Sequence, residues 1–256
     1  MRMHFICTKV QVWRYYCVKF LTKMAQKNIV VFTGAGISAE SGLRTFRDSD
    51  GLWEEYDIRD VATPEAWRRN PQLVLQFYNE RRKKLLHTQP NPAHYALAEL
   101  EKVHNVHIVT QNIDDLHERA GSSRVLHLHG ELLKVRSERD PSLVYEWKKD
   151  LHWGDVAEDG AQLRPHVVWF GEPVDAFEEA VPLFEGADIA IIVGTSLQVY
   201  PAAGLIGFVP PESPIYYIDP RPVISYELQN RQNLHILAEK ASTGVPKVVE
   251  ELRKLA

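Results

Sequence analysis

The run Ile29-Val30-Val31-Phe32-Thr33-Gly34-Ala35-Gly36-Ile37-Ser38-Ala39-Glu40-Ser41-Gly42 constrains the fold more than any other, because an apolar, β-branched stretch gives way abruptly to small residues. An uninterrupted apolar strand of this kind belongs in a sheet covered on both faces. Gly34 and Gly36 lack a Cβ, so the backbone can turn tightly after the strand and bring its N–H groups against a pyrophosphate. Ala39 stands where the third small residue of a dinucleotide fingerprint falls. The pattern implies a nucleotide and leaves the chemistry open.

Further strand patterns at 106–110, 125–128, 167–170, 189–193 and 215–218 are interleaved with helical stretches at 92–103, 175–184, 202–208 and 245–255. Such alternation predicts an α/β fold, a Rossmann-like parallel sheet with helices on both faces. Ligands of such sheets sit beyond the carboxyl ends of the strands. Two stretches fall outside the alternation, about 57–86 and 131–164, and are expected to form a smaller inserted lobe. In the first, Thr63-Pro64-Glu65 reads as a helix start, and 66–86 reads as two helices broken at Asn70-Pro71. The 256 residues, 45% of them apolar, suffice for one core plus this insert.

A net charge of −4 argues against nucleic acid as a partner. Stable membrane association is not expected, since no stretch approaches the roughly 20 uncharged apolar residues of a bilayer span. The two cysteines, Cys7 and Cys17, both lie in residues 1–23, a basic stretch without an acidic residue. That stretch is read as an N-terminal extension, disordered or not native, because Met24-Ala25-Gln26-Lys27-Asn28 leads directly into the first strand. Residues 24–256 are read as one catalytic domain, working in the cytoplasm as a monomer.

Three more segments, Gln111-Asn112-Ile113-Asp114, His127-Leu128-His129-Gly130 and Gly194-Thr195-Ser196-Leu197, place polar or small groups just after apolar strand patterns. With the glycine loop, and in order and spacing over nearly all of the chain beyond Met24, they resemble the sirtuins, NAD-dependent protein-lysine deacylases. Tyr78 and Arg81 add a match to the class III branch, which includes bacterial enzymes and accepts negatively charged acyl groups. The resemblance implies NAD as cofactor and acylated lysine side chains of proteins or peptides as substrates. In that family the acyl carbonyl oxygen attacks C1′ of the nicotinamide ribose and nicotinamide leaves. A histidine base then lets a ribose hydroxyl close on the adduct, and water releases lysine and O-acyl-ADP-ribose.

Carried onto this sequence, the resemblance makes His129 the base, a role suited to an imidazole titrating near neutrality. His127 is read as an imidazole satisfied by backbone at the strand end. Gly34, Ala35, Gly36 and Ala39 form the phosphate loop, and Ser38, Phe46 and Arg47 belong to the loop over the nicotinamide end, with residues 44–53, Arg44 and Trp53 included, expected to be mobile over the cofactor. Gln111, Asn112, Ile113 and Asp114 are assigned to the ribose and the nicotinamide amide, although Asx residues here also suit helix capping. Gly194, Thr195 and Ser196 are assigned to the adenosine half, with Asp219 and Ala241 beyond them. Tyr78 and Arg81 would hold an acyl carboxylate, although Arg81-Arg82-Lys83-Lys84 alone reads as a solvated basic face. Val168, Trp169, Phe170, Gly171 and Glu172 resemble the segment that pairs with an extended substrate peptide.

Sirtuins usually carry two cysteine pairs holding zinc in the second inserted stretch, and here it contains none. No zinc is expected, and the lobe would be held by Leu143, Val144, Tyr145, Trp147, Leu151 and Trp153. Alternatives on the same fold are a mono-ADP-ribosyltransferase, an NAD hydrolase or a non-catalytic sensor of ADP-ribose or NAD. A dehydrogenase would need a substrate domain and an acid roughly 20 residues beyond the glycines, and neither is evident.

Overall fold

The computed structural model describes residues 26–43, 52–53 and 56–255, with the backbone alone at 52–53. Its strands in chain order are β1 (Asn28–Thr33), β2 (Leu52–Trp53), β3 (Tyr56–Asp57), β4 (Asn105–Thr110), β5 (Val125–His127), β6 (Gly130–Ser137), β7 (Val144–Glu146), β8 (Leu163–Val167), β9 (Ile189–Val193), β10 (Ile215–Ile218) and β11 (Leu234–Leu237). Six of these form one sheet in the order β11-β10-β9-β1-β4-β5, with every neighbouring pair parallel.

The apolar run of β1 explains its central place. Ile29 and Val31 face a cluster completed by the helices Pro92–Leu100 and Ala241–Arg253. Val30 and Phe32 face a second cluster completed by the helix Ala176–Glu185 and the 3₁₀ turns of Ala202–Phe208. A strand buried on both faces has no polar side to show, so its sequence does not alternate. The core is α/β and Rossmann-like.

A second body, the antiparallel sheet β7-β6-β8, packs with the helices Ile58–Val61, Pro64–Arg69 and Pro71–His87 around Trp67, Phe77, Leu132, Val135, Leu151 and Leu163. The chain punctuates these helices itself. Thr63 Oγ1 accepts the Ala66 N–H and Asn70 Oδ1 accepts the Leu73 N–H, each just before a proline at the first helical position.

Several expectations require correction. The strand at 167–170 is β8, four residues earlier and antiparallel to β6. Arg164 and Pro165 hide its start, while the Val168 and Phe170 N–H groups leave the ladder for the carbonyls of His129 and Ala62. Val144 and Trp153 do not belong to the lobe's core, being 37% and 58% exposed. β7 is an edge strand with one face to solvent, and the interior is filled from the helices instead. The last helix starts at Ala241 rather than 245. Gly244 reads as a breaker, yet a Cβ there would lie 2.5 Å from Ile218 Cγ2, so its absence lets the helix settle on β10. The stretch 202–208 is 3₁₀ rather than α, and β11, a half-exposed edge strand, had no legible pattern.

Candidate active site

The loops after β1, β4, β9 and β10 meet at one end of the sheet. They border a cavity of about 1080 Å³. That is just above the roughly 300–1,000 Å³ usual for small-molecule sites. The glycines work differently from the expectation. The Gly34 and Gly36 N–H groups donate to the carbonyls of Val193 and Gly194, at 3.0 and 2.8 Å, so these two are not the phosphate donors. Their role is spacing. A Cβ on Gly36 would stand 2.6 Å from Gly194 Cα, and Gly194 itself has φ of 60°, the left-handed region. The two loops can therefore pack backbone on backbone.

A connected set of buried polar groups lies beneath them. Ser38 Oγ donates to Asp114 Oδ2 at 2.9 Å, and Asn112 Nδ2 donates to Ser38 Oγ at 3.2 Å. Asp114 Oδ1 accepts the Leu116 N–H, so capping and site placement coexist. Burial pushes the Asp114 carboxyl up to about 6, against the opposing pull of the Ser38 hydrogen bond. Gln111 Nε2 donates to Thr195 Oγ1 at 2.9 Å, joining the β4 and β9 loops. Behind them Thr33 Oγ1 donates to Thr110 Oγ1, and Asn91 fixes the glycine loop through the Ile37 carbonyl and Ser41 Oγ.

The two histidines of the 127–130 segment are held alike through Nδ1 and are shifted in opposite directions. His129 Nδ1 meets the Gln111 carbonyl at 2.9 Å, a partner that only accepts, so the proton sits on Nδ1 and Nε2 keeps its lone pair. Burial lowers its pKa from the ordinary imidazole value. His127 Nδ1 meets the Asn112 carbonyl at 2.9 Å and Nε2 meets Glu118 Oε1 at 2.8 Å, both acceptors. Burial works against the charged form, but the Glu118 carboxylate prevails and the pKa of His127 is raised. His129 borders the cavity and can take a proton; His127 does not border it.

At the other end of the cavity, Tyr78 and Arg81 stand one turn apart on Pro71–His87, 0% and 6% exposed. Arg81 lies over the Phe77 ring, its guanidinium carbon 3.4 Å from the centroid. Arg82 is also buried, donating to the Leu132 carbonyl and Asn79 Oδ1. Arg81 and Arg82 are therefore not part of a solvated face, whereas Lys83 is exposed. Val168, Trp169, Phe170, Gly171 and Glu172 border the same cavity. The Glu172 side chain takes a two-pronged bond from Arg164, at 2.6 and 3.0 Å, and accepts the Trp169 N–H. The N–H groups of Val168, Trp169, Phe170 and Glu172 are all donated within the chain, so a peptide strand would meet mainly carbonyls here.

A family model described as Sir2 matches residues 34–201, more than half of the chain. The chain belongs to the Sir2 family. An NAD-dependent protein deacylase of Helicobacter pylori is 58% identical over 225 residues, 88% of this chain and 98% of that protein. One of Bacteroides thetaiotaomicron is 54% identical over 235 residues, covering 90% of this chain and 97% of its own. Among solved structures, a Sir2 homologue in complex with NAD superimposes with a TM-score of 0.79 at 38% identity, over 93% of this chain and 95% of that one. A mutant Sir2 homologue in complex with ADP-ribose gives 0.81 at 38% identity, over 92% and 96%.

In this Sir2 chain the cavity is also bordered by the other residues singled out in the sequence: Ala35, Ala39, Ile113, Ser196, Asp219 and Ala241. Asp219 is buried and accepts the Arg221 N–H at 2.8 Å. Arg44, Phe46 and Arg47, and the side chain of Trp53, lie outside the described residues. Sequence reasoning missed Glu40, Tyr200, Arg221 and Lys240, which border the cavity as well. Glu40 Oε2 accepts the Ser242 N–H at 3.0 Å, tying the glycine loop to the start of the last helix. A contact spanning some two hundred residues leaves no local signal. Among the described residues, no group of three or more His, Cys, Asp or Glu is placed to hold a metal ion.

Proposed function

We infer that this chain is an NAD-dependent protein-lysine deacylase that accepts acetyl-lysine and acidic acyl-lysines such as succinyl- and malonyl-lysine, yielding nicotinamide, free lysine and O-acyl-ADP-ribose. The observation that carries this reading is the single cavity bordered at once by the glycine loops, by a neutral histidine, and by the buried Tyr78 and Arg81. The backbone-on-backbone contact at Gly36 and Gly194 suits a dinucleotide laid across the loops. NAD supplies a ribose carbon whose bond to nicotinamide breaks as the acyl oxygen bonds to it.

The residues of the chain do the rest. His129 Nε2 accepts a ribose hydroxyl proton and holds it on the ring until water addition returns it. Gln111, Asn112 and Asp114 orient the ribose and the carboxamide, and Gly194, Thr195, Ser196, Asp219 and Ala241 hold the adenosine half. The sirtuin resemblance assigns Arg44, Phe46, Arg47 and Trp53 to the loop that would keep water from the reacting end. Arg81 pairs with an acyl carboxylate as a planar fork. The catalytic domain is 24–256, with insertions at about 57–86 and 131–164 and residues 1–23 as an extension. No helix of the described residues is long and apolar enough to cross a membrane, and the acidic balance disfavours nucleic acid, which together fit a cytoplasmic enzyme.

The test is incubation with NAD and matched acetyl- and succinyl-peptides, with mass detection of products. O-acyl-ADP-ribose in equal amount to free lysine is expected. Nicotinamide release without loss of acyl groups would instead indicate ADP-ribosyl transfer or NAD hydrolysis.

A further inference from the structure

The acyl end of the cavity holds an arrangement that extends the reading above and rests on it. Trp169 is buried, and its indole N–H donates to the Tyr78 hydroxyl oxygen at 3.0 Å. This is the one hydrogen bond of the Tyr78 hydroxyl among the described residues, and in it the phenol accepts. A tyrosine hydroxyl has a single proton to give. With the indole on its acceptor side, that proton is left to face whatever enters the cavity, which Tyr78 borders. Burial pushes the phenol's pKa up, so the proton stays on.

The indole is itself held from several directions. The Arg164 guanidinium carbon lies 3.4 Å from the centre of the Trp169 ring system, and the same guanidinium forks onto Glu172 at 2.6 and 3.0 Å. Glu172 Oε2 accepts the Trp169 backbone N–H at 2.8 Å, and the Trp67 ring packs 5.7 Å away. A ring fixed in this way cannot turn its N–H elsewhere, and a stacked cation raises its strength as a donor.

We propose that Trp169 is a positioning residue for acidic acyl groups, its indole N–H making the Tyr78 hydroxyl an obligate donor toward an acyl carboxylate brought in beside Arg81. A carboxylate accepts that proton. An acetyl group offers no acceptor at that distance from the lysine, and a buried donor is left unmatched, so the arrangement penalises the neutral acyl group as well as attracting the acidic one.

The variants Trp169→Phe, Tyr78→Phe and the double substitution test this. Trp169→Phe keeps an aromatic ring and removes the donor. The ratio of kcat/KM for a succinyl-peptide to that for the matched acetyl-peptide is expected to fall about tenfold in Trp169→Phe, through a higher KM for the succinyl substrate together with relief of the penalty on the acetyl substrate, with no further fall when Tyr78→Phe is added. An unchanged ratio, or losses that multiply in the double variant, would overturn the proposal. If Trp169→Phe fails to fold, the unsubstituted protein still decides through the Trp169 indole N–H resonance. That resonance is expected to move differently with succinyl- and acetyl-peptide, and to lose the difference in Tyr78→Phe; identical shifts with both peptides overturn the proposal. Absence of any NAD-dependent deacylation by the unsubstituted protein would instead defeat the function proposed above, whereas deacylation with an unchanged ratio defeats this inference alone.

Discussion

His129 and Asp114 sit in the same cavity wall, and burial moves each toward its neutral form. For His129 this keeps the base unprotonated below the usual imidazole range, so the acid limb of kcat/KM is expected under about pH 6.5. A pH–rate profile measures it, and His129→Ala is expected to lower kcat by roughly 10²–10⁴-fold. Asp114 carries the opposite sign for stability. Its carboxyl titrates at about 6 in the fold against 3.8 ordinarily, so the folded state binds the extra proton between those values and loses stability as pH rises through them. That corresponds to at most roughly 3 kcal/mol. Asp114→Asn is therefore expected to raise the midpoint of urea unfolding at pH 8, to leave it unchanged below pH 4, and to impair deacylation at every pH.

At the scale of elements, two loops and a helix are locked by missing side chains. Gly36 against Gly194 and Gly244 against Ile218 each leave no room for a Cβ, at 2.6 and 2.5 Å. Gly36→Ala is expected to part the β1 and β9 loops, costing about 1–3 kcal/mol of stability by the usual measure of overpacking. It should also weaken ADP-ribose binding at least tenfold, read by calorimetry alongside Tm. Tight binding with an unshifted Tm would show that the loops can slide apart freely. The glycine run was legible as a strand-to-loop signal, but its reason was not. In sequence the glycines point to a ligand, whereas in the fold Gly34 and Gly36 give their N–H groups to the neighbouring loop.

Over the whole molecule, the buried histidines make the fold sensitive to acid. Burial lowers the pKa of His94 to about 4 and that of its ring neighbour His117 well below the usual value. The unfolded chain takes up protons first as pH falls below about 6.5, so stability drains away from there downward. His94 alone accounts for about 3 kcal/mol once the pH is under 4. Urea midpoints at pH 7.5 and 5.0 check this, and equal midpoints would contradict it. By itself the sequence determined the parallel α/β sheet, because an apolar run without alternation can only lie between two layers. It also determined the helix start at Thr63 and the break at Asn70-Pro71, because capping is local chemistry. Tertiary structure decided which histidine is pushed toward its charged form, since a Glu118 carboxylate on Nε2, not position in the motif, sets His127 apart from His129. It also decided that the small lobe packs on Trp67 and Leu163 rather than on Trp153, and that Trp169 reaches Tyr78. Burial and partnership across distant segments belong to the packed chain, and no local pattern encodes them.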